Sequence, residues 1–207
     1  MHVIDDIPSP NFGPRRGVGR PDMVVLHYTG MRSAEAAIAR LCDPVAEVSA
    51  HYVVARDGAV SRLVADESRA WHAGRSYWQG ARDINSHAIG IEIDNSGPLD
   101  GFPPFAHMQM QAVARLLRMV LDRWQISPSR VVGHQDIAPS RKIDPGPKFD
   151  WAFLARLGLA DVSLPDGFTT GEENVHELAG ALGYDPSAST EELKSAFGAR
   201  QWQRPMA

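Results

Sequence analysis

Residues 88–94, AIGIEID, alternate between large apolar residues and small or acidic ones. Because neighbouring side chains of a β-strand point to opposite faces of the sheet, this alternation predicts a strand with its isoleucines on one buried face. Glu92 then lies on the opposite face. The segment MVVLHYT at 23–29 predicts a second, buried strand. Strands of this kind need another layer of structure to cover their apolar faces.

The segment at 105–125 is predicted to form a helix that supplies such a layer. Its apolar residues recur with a period of about 3.6, which is typical of a core-facing helix: Val113, Leu116, Leu117, Val120, Leu121 and Trp124. Ser33 is predicted to cap a shorter helix that ends near Leu41. Residues 51–64 read HYVVAR, Asp-Gly, AVSRLV, which predicts a β-hairpin. Together these elements predict an α/β fold with a central mixed β-sheet flanked by helices.

Three segments are predicted to be irregular. Residues 8–21 are rich in proline and glycine and are expected to form an extended arm. Residues 65–87 show no clear period, which predicts a long loop of the kind that is often functional. Residues 133–151, which contain three prolines, are expected to be neither helix nor strand.

The composition changes near the C-terminal end. Residues 161–172, DVSLPDGFTTGE, are predicted to be a linker. The segments NVHELAGALG and STEELKSAFGARQW beyond it predict two short helices, of which the second begins with a Ser-x-x-Glu capping box. The chain is therefore expected to divide into a main domain at 1–160 and a small helical module at 161–207.

Composition also narrows the classes of function. The chain has 207 residues and a formal net charge of −4, which argues against a protein that holds nucleic-acid phosphates. A single cysteine, Cys42, excludes an intrachain disulfide and a cysteine-based zinc site. No apolar run approaches the roughly 20 residues that span a bilayer, and the N-terminal residues do not resemble a secretory leader. We expect a cytoplasmic monomer without membrane insertion, or a periplasmic or envelope protein if a leader has been removed.

The proline-rich segment GHQDIAPSRKIDPGPKFDW, residues 133–151, concentrates coordinating groups. Zinc binds neutral imidazole nitrogen and carboxylate oxygen, and a catalytic zinc site has three protein ligands and an open position for water. His134 and Asp144 are two candidate ligands. His27, at the end of a predicted strand, is a candidate third. On the residues alone, the alternative that His27 is an ordinary core histidine stays open.

A hydrolytic metal site also uses a general base and a cation near the developing oxyanion. Glu92 is the candidate base because it lies on the polar face of its predicted strand. Lys142 is the candidate cation because it precedes Asp144 by two residues. Taken singly, Glu92 could instead be a carboxylate on a solvated strand face, and Lys142 a solvated loop charge.

Three segments together resemble the zinc-dependent N-acetylmuramoyl-L-alanine amidases: VVLHYTG, WHAGRSYWQGARDINSHAIGIEID and VVGHQDIAPSRKIDPGPKFDW. This family shares its fold with phage lysozyme-type amidases and peptidoglycan recognition proteins. The resemblance covers about residues 9–157, and no catalytic position departs from the family pattern. It implies a Zn²⁺ cofactor with the ligands His27, His134 and Asp144. It further implies that Glu92 is the general base and that Lys142 stabilises the oxyanion.

The activity implied by this resemblance is hydrolysis of the amide between N-acetylmuramic acid and L-alanine. The expected substrates are peptidoglycan fragments or muropeptides, in cell-wall recycling or turnover. The segments LAGALGYDP and FGARQWQRP resemble a shortened peptidoglycan-binding helical module. One alternative is a non-catalytic peptidoglycan-binding module, which would be expected to lack a ligand or the glutamate. Another is a zinc peptidase that acts on ordinary peptides.

Six further residues near these segments are candidate substrate contacts: Tyr28, Trp71, His72, Arg75, Trp78 and Asn85. The tryptophans could stack on a sugar or could pack beneath the loop. Arg75 could pair with a peptide carboxylate or lie on the surface. Asn85 could hydrogen-bond substrate or cap its own turn. His72 has no assigned role at this level.

Overall fold

The computed structural model describes residues 4–168 and 174–201. Its strands are β1 (Ile4–Asp6), β2 (Phe12–Pro14), β3 (Met23–Tyr28), β4 (Tyr52–Val54), β5 (Val60–Arg62), β6 (Ser68–Ala70), β7 (Ala88–Ile93) and β8 (Val131–Gly133). Its helices are α1 (Ala34–Leu41), α2 (Ile84–His87), α3 (His107–Trp124), α4 (His134–Ile137), α5 (Trp151–Arg156), α6 (Val175–Leu182) and α7 (Thr190–Ala199). Six strands form one mixed sheet in the order β1-β5-β4-β7-β3-β8, while β2 and β6 form a separate pair. The predicted mixed sheet flanked by helices is confirmed.

The centre of the main sheet is parallel. Strand β7 runs parallel to β3 on one side and to β4 on the other, and β8 pairs in parallel with the far edge of β3. In this register His27 lies opposite Glu92, which in turn lies opposite Val53. The sheet therefore places the predicted ligand beside the predicted base.

The alternation in β7 decides which face of the sheet meets which helix. Ile89, Ile91 and Ile93 are completely buried and share a core cluster with the apolar stripe of α3. Burying one such side chain stabilises a fold by roughly 1.5–3 kcal/mol. The opposite face carries Glu92, so the two faces of one strand serve the core and the polar side separately, as predicted.

Local sequence signals explain several element ends. Ser33 caps α1 by accepting a hydrogen bond from the Ala36 backbone N–H at 3.3 Å. The Asp-Gly turn joins β4 and β5 as an antiparallel hairpin, with Gly58 at a φ of 87°. Gly183 follows α6 at a φ of 101° and closes that helix.

The structure differs from expectation in three segments predicted to be irregular. The arm at 8–21 contains β2, and the loop at 65–87 contains β6 and α2. The two strands exist because they pair with each other, Phe12 opposite Ala70, and such long-range pairing leaves no local pattern. The segment at 133–151 begins with one helical turn, α4. Its prolines all follow that turn, and the Asp136 carboxylate caps it by accepting the Gly133 N–H at 2.7 Å.

The two C-terminal helices pack on the same face of the sheet as His27. Met23 and Val25 alternate with His27 along β3, and both are buried in a cluster with apolar residues of α6 and α7: Val175, Leu178, Leu193 and Phe197. Part of the predicted linker, 169–172, lies outside the described residues, as do residues 202–207. The division of the chain at residue 160 stays a prediction.

Within the two described ranges, no helix is both long enough and apolar enough to cross a membrane.

The hairpin turn offers a test of this packing. A Cβ at Gly58 would lie 2.9 Å from the Met108 carbonyl oxygen, and the left-handed φ adds backbone strain. We expect Gly58→Ala to lower the free energy of unfolding by about 2–3 kcal/mol in urea denaturation. Gly80→Ala is the matched control, because Gly80 has the same φ of 87° and a Cβ there would meet no atom of the described residues within 4 Å. That variant should lose only about 1 kcal/mol. Equal losses would exclude a steric contribution from Met108.

Candidate metal centre

Three coordinating side chains from distant parts of the chain converge. His27 lies near the end of β3, His134 begins α4, and Asp144 lies in the proline-rich loop. His27 Nδ1 is 2.9 Å from both His134 Nδ1 and Asp144 Oδ2, and His134 Nδ1 is 3.1 Å from the same oxygen. All three residues are buried. Ligands of one tetrahedral zinc ion lie roughly 3.3 Å apart, so these separations fit a shared cation.

Bonds on the far side of each ring orient the two imidazoles. His134 Nε2 lies 3.0 Å from the Ala73 carbonyl oxygen and must donate to it, which leaves the lone pair on Nδ1. His27 Nε2 lies 3.0 Å from His72 Nδ1. With Nε2 as the donor, His27 also turns its Nδ1 lone pair inward.

The charge states also fit a metal. Burial, with His134 nearby, lowers the pKa of His27 to about 4, so this ring is neutral near pH 7. Burial opposes ionisation of Asp144, but His134 and His27 outweigh it and hold the pKa of that carboxyl well below its usual range. Two imidazole lone pairs and a carboxylate thus face one point. This is a donor set that zinc binds readily.

Glu92 lies beside this cluster without joining it. Burial, reinforced by the charge of Asp144, raises the pKa of Glu92 well above its usual value, while Lys142 opposes the shift. Its Oε2 atom is buried and has no hydrogen-bond partner among the described residues. A carboxyl group with a raised pKa holds a proton more readily than an ordinary one, which is typical of catalytic acids and bases.

A cavity of about 420 Å³ opens over these groups. It is lined by the proposed ligands together with Glu92 and Lys142, and also by three of the predicted substrate contacts, Tyr28, Trp71 and His72. Burial raises the pKa of Tyr28 to about 12, so its hydroxyl stays protonated. Eight of the seventeen residues that line the cavity were thus candidates from the sequence, while substrate contact by these residues stays a prediction.

The other three predicted substrate contacts lie outside this cavity. Trp78 is only 3% exposed and packs edge-on against Tyr184, with ring centroids 5.0 Å apart. Asn85 accepts hydrogen bonds from the backbone N–H groups of His72 and Ala73, at 3.0 and 2.8 Å. The exposed Arg75 lines a separate cavity near α7. Trp78 therefore packs beneath the loop and Arg75 lies on the surface, as their alternatives stated. Asn85 does not cap its own turn but holds the segment at residues 72–73.

Sequence reasoning missed the residues that hold the site in shape. A Cβ at Gly90 would lie 2.5–2.7 Å from the His72 ring, so the absence of a side chain in β7 makes room for His72. The available signal was a glycine inside a strand that contains three isoleucines, because a glycine within a strand often marks a close approach. Arg141 donates to the carbonyl oxygens of Ala73 and Arg75 and ties that segment to the proline-rich loop.

Comparison with known proteins gives consistent relatives. The sequence profile of the N-acetylmuramoyl-L-alanine amidase family matches residues 17–147. The N-acetylmuramoyl-L-alanine amidase AmiD of Escherichia coli is 36% identical over 193 residues, 86% of this chain and 67% of the relative. The 1,6-anhydro-N-acetylmuramyl-L-alanine amidase AmpD of Escherichia coli is 34% identical over 70% of this chain and 87% of the relative.

A solved structure is similar in fold over most of the chain. It is the complex of Escherichia coli AmiD with the substrate anhydro-N-acetylmuramic acid-L-Ala-D-gamma-Glu-L-Lys. The TM-score is 0.72 at 33% identity, covering 89% of this chain and 81% of that one. The likeness therefore extends beyond the segment that the family profile matches.

The contact between His72 and His27 can be tested through metal binding. His72→Phe keeps a ring over Gly90 but removes the hydrogen-bond partner of His27 Nε2, so His27 loses its fixed orientation. We expect Zn²⁺ affinity to fall by about 10-fold to 100-fold in chelator competition. His87→Phe is the control. His87 directly precedes β7 and its ring contacts Asp22, so this variant should bind Zn²⁺ like the native protein. Native affinity in His72→Phe would exclude an orienting role.

Proposed function

The chain belongs to the N-acetylmuramoyl-L-alanine amidase family, and we propose that it uses Zn²⁺ to hydrolyse the amide of small anhydro-muramyl peptides. This amide joins the lactyl group of N-acetylmuramic acid to L-alanine. The observation that carries the proposal is the convergence of His27, His134 and Asp144 beside Glu92, whose Oε2 atom has no partner in the described part of the chain. The name of AmpD and the substrate bound in the AmiD complex support the anhydro-muramyl class. The cytoplasmic compartment and the monomeric state stay predictions.

In this proposal the metal ligands are His27 Nδ1, His134 Nδ1 and Asp144 Oδ2. Zinc, when bound, lowers the pKa of a coordinated water and polarises the scissile carbonyl. Burial keeps His27 neutral, and the outer nitrogen of His134 is held by the Ala73 carbonyl oxygen. His27 is thus ready to bind the metal without losing a proton.

Glu92 would move the proton. Its raised pKa allows the carboxylate to take a proton from the attacking water and then to deliver it to the leaving amide nitrogen. Its Oε2 atom has no hydrogen-bond partner among the described residues, so this oxygen can accept a hydrogen bond.

Lys142 would stabilise the negative charge that develops on the carbonyl oxygen. It lines the same cavity and lowers the pKa of Glu92 through its charge, so its field reaches the reacting groups. Preorganised cationic groups of this kind lower the barrier without reorganising during the reaction. A non-catalytic peptidoglycan-binding protein would need neither Glu92 nor Lys142, and the chain has both.

The ligand assignment predicts the effect of removing single ligands. The native protein should contain about one Zn²⁺ per chain, and His27→Ala or Asp144→Ala should each lose most of it, because catalytic zinc sites hold the ion through three protein ligands. Atomic absorption after gel filtration measures the content. His107→Ala, at an exposed histidine at the start of α3, is the control and should keep the metal. Full zinc occupancy in both ligand variants would refute the assignment.

The base assignment predicts loss of turnover with retention of metal. Glu92→Gln keeps the side-chain shape but cannot take the proton, so cleavage of an anhydro-muramyl tripeptide should fall by about 100-fold or more. Lys142→Met should also keep Zn²⁺ and lower the rate by a similar or smaller factor. Glu35→Gln, at an exposed carboxylate in the first turn of α1, should leave turnover unchanged. Near-native turnover in Glu92→Gln would favour the non-catalytic alternative or a different base.

A further inference from the structure

A buried polar cluster joins the C-terminal helices to the turn that carries His134. Its centre is Asp136, which is completely buried and lies two residues after His134 in α4. One carboxylate oxygen accepts the Gly133 N–H at 2.7 Å and Arg200 Nη1 at 3.0 Å. The other accepts the Tyr184 hydroxyl at 2.7 Å. Two of the three donors therefore come from the region beyond residue 174.

Arg200, directly after α7, connects more than one element to this centre. Its Nη2 donates to the carbonyl oxygens of Val131 and Asp161, at 2.9 and 3.0 Å, and its guanidinium lies 5.0 Å from the Trp151 ring centroid. The side chain is only 3% exposed. A buried charge is tolerated when it is paired and hydrogen-bonded, as here with Asp136.

Tyr184 gives the second connection and follows the last residue of α6 by two positions. It is buried between Trp78 and Phe197, with ring centroids 5.0 Å away in each case. Burial raises the pKa of its hydroxyl well above the usual value, so the group remains a donor to Asp136.

We infer that the two C-terminal helices act as a brace for the metal centre, with Tyr184, Arg200 and Asp136 as positioning residues for His134. The hydrogen bond from the Gly133 N–H to Asp136 fixes the bend between β8 and α4. His134 is the first residue after this bend, so the bend sets the direction of its side chain. The next residue, Gln135, donates its backbone N–H to the Asp144 carbonyl at 2.8 Å, so the same turn also reaches the third ligand. This gives the C-terminal helices a function in the amidase site itself.

The chain contains a matched control for this inference. The Tyr52 hydroxyl donates to buried Asp66 at 2.7 Å, the same bond length as in the pair of Tyr184 and Asp136. Tyr52 belongs to the core cluster on the α3 side of the sheet, away from His134. Tyr52→Phe and Tyr184→Phe therefore remove the same kind of bond from opposite faces of the sheet.

The experiment measures Zn²⁺ affinity of the full chain by chelator competition, below the unfolding temperature of every variant. Both Tyr→Phe variants should unfold at lower temperature, but only Tyr184→Phe should bind Zn²⁺ more weakly, by about 10-fold. Arg200→Lys keeps the charge without the forked geometry and should show an equal or larger loss. Native affinity in Tyr184→Phe and Arg200→Lys would overturn the brace.

A further variant separates positioning from general destabilisation. Leu193→Ala removes buried apolar volume from α7 without touching Asp136, so it should lower the unfolding temperature and leave Zn²⁺ affinity unchanged. A loss of affinity equal to that of Tyr184→Phe would overturn the inference. The measurement needs no substrate, so a chain that binds Zn²⁺ but leaves muramyl peptides intact would refute the proposed function and leave the brace standing.

Discussion

The parallel pairing of β3 with β7 is the constraint on which the site depends. In this register His27 and Glu92 are direct neighbours on one face, while the isoleucines of β7 lie on the other. A slip of one residue would move every side chain to the wrong face, exposing the isoleucines to the polar side and burying Glu92 against α3. The hydrophobic core and the chemical site are therefore fixed by the same hydrogen-bond ladder. Stability and function cannot be separated at these two strands.

The remaining site groups depend on this pair through local supports. His72 lies against β7 above Gly90 and contacts His27, while Ala73, its neighbour, receives the outer hydrogen bond of His134. One short segment thus supports both imidazoles from behind. Such outer contacts determine which ring nitrogen carries the lone pair. Without them, the Nδ1 atom that faces the metal site could carry the proton instead. The rigid loop around Asp144 supplies the third donor.

Much of the fold and of the candidate site could be predicted from sequence, because those features leave a local periodicity or a local cluster of coordinating residue types. The strand at 88–94 shows a period of two, α3 shows an apolar stripe, and the side chains that converge as candidate ligands include those of His134 and Asp144, ten residues apart in one segment. The strands β2 and β6 were missed because each is held by the other, and three residues carry no readable period. Trp71 and Trp78 could not be told apart for a similar reason. Both are loop tryptophans, and only the path of the chain turns one toward the cavity and the other toward Tyr184.

The close approach of the His72 ring to Gly90 has a consequence for how this sequence can change over time. Any side chain at position 90 would occupy the space that the imidazole already fills. A change at position 90 is therefore acceptable only in a chain that has already altered position 72 or the path of the segment around it. Position 90 thus depends on position 72, which lies 18 residues away in the sequence. The order of substitutions is also restricted. A smaller residue can replace His72 first and a larger one can replace Gly90 afterwards. In the reverse order, the new side chain at position 90 would clash with the His72 ring.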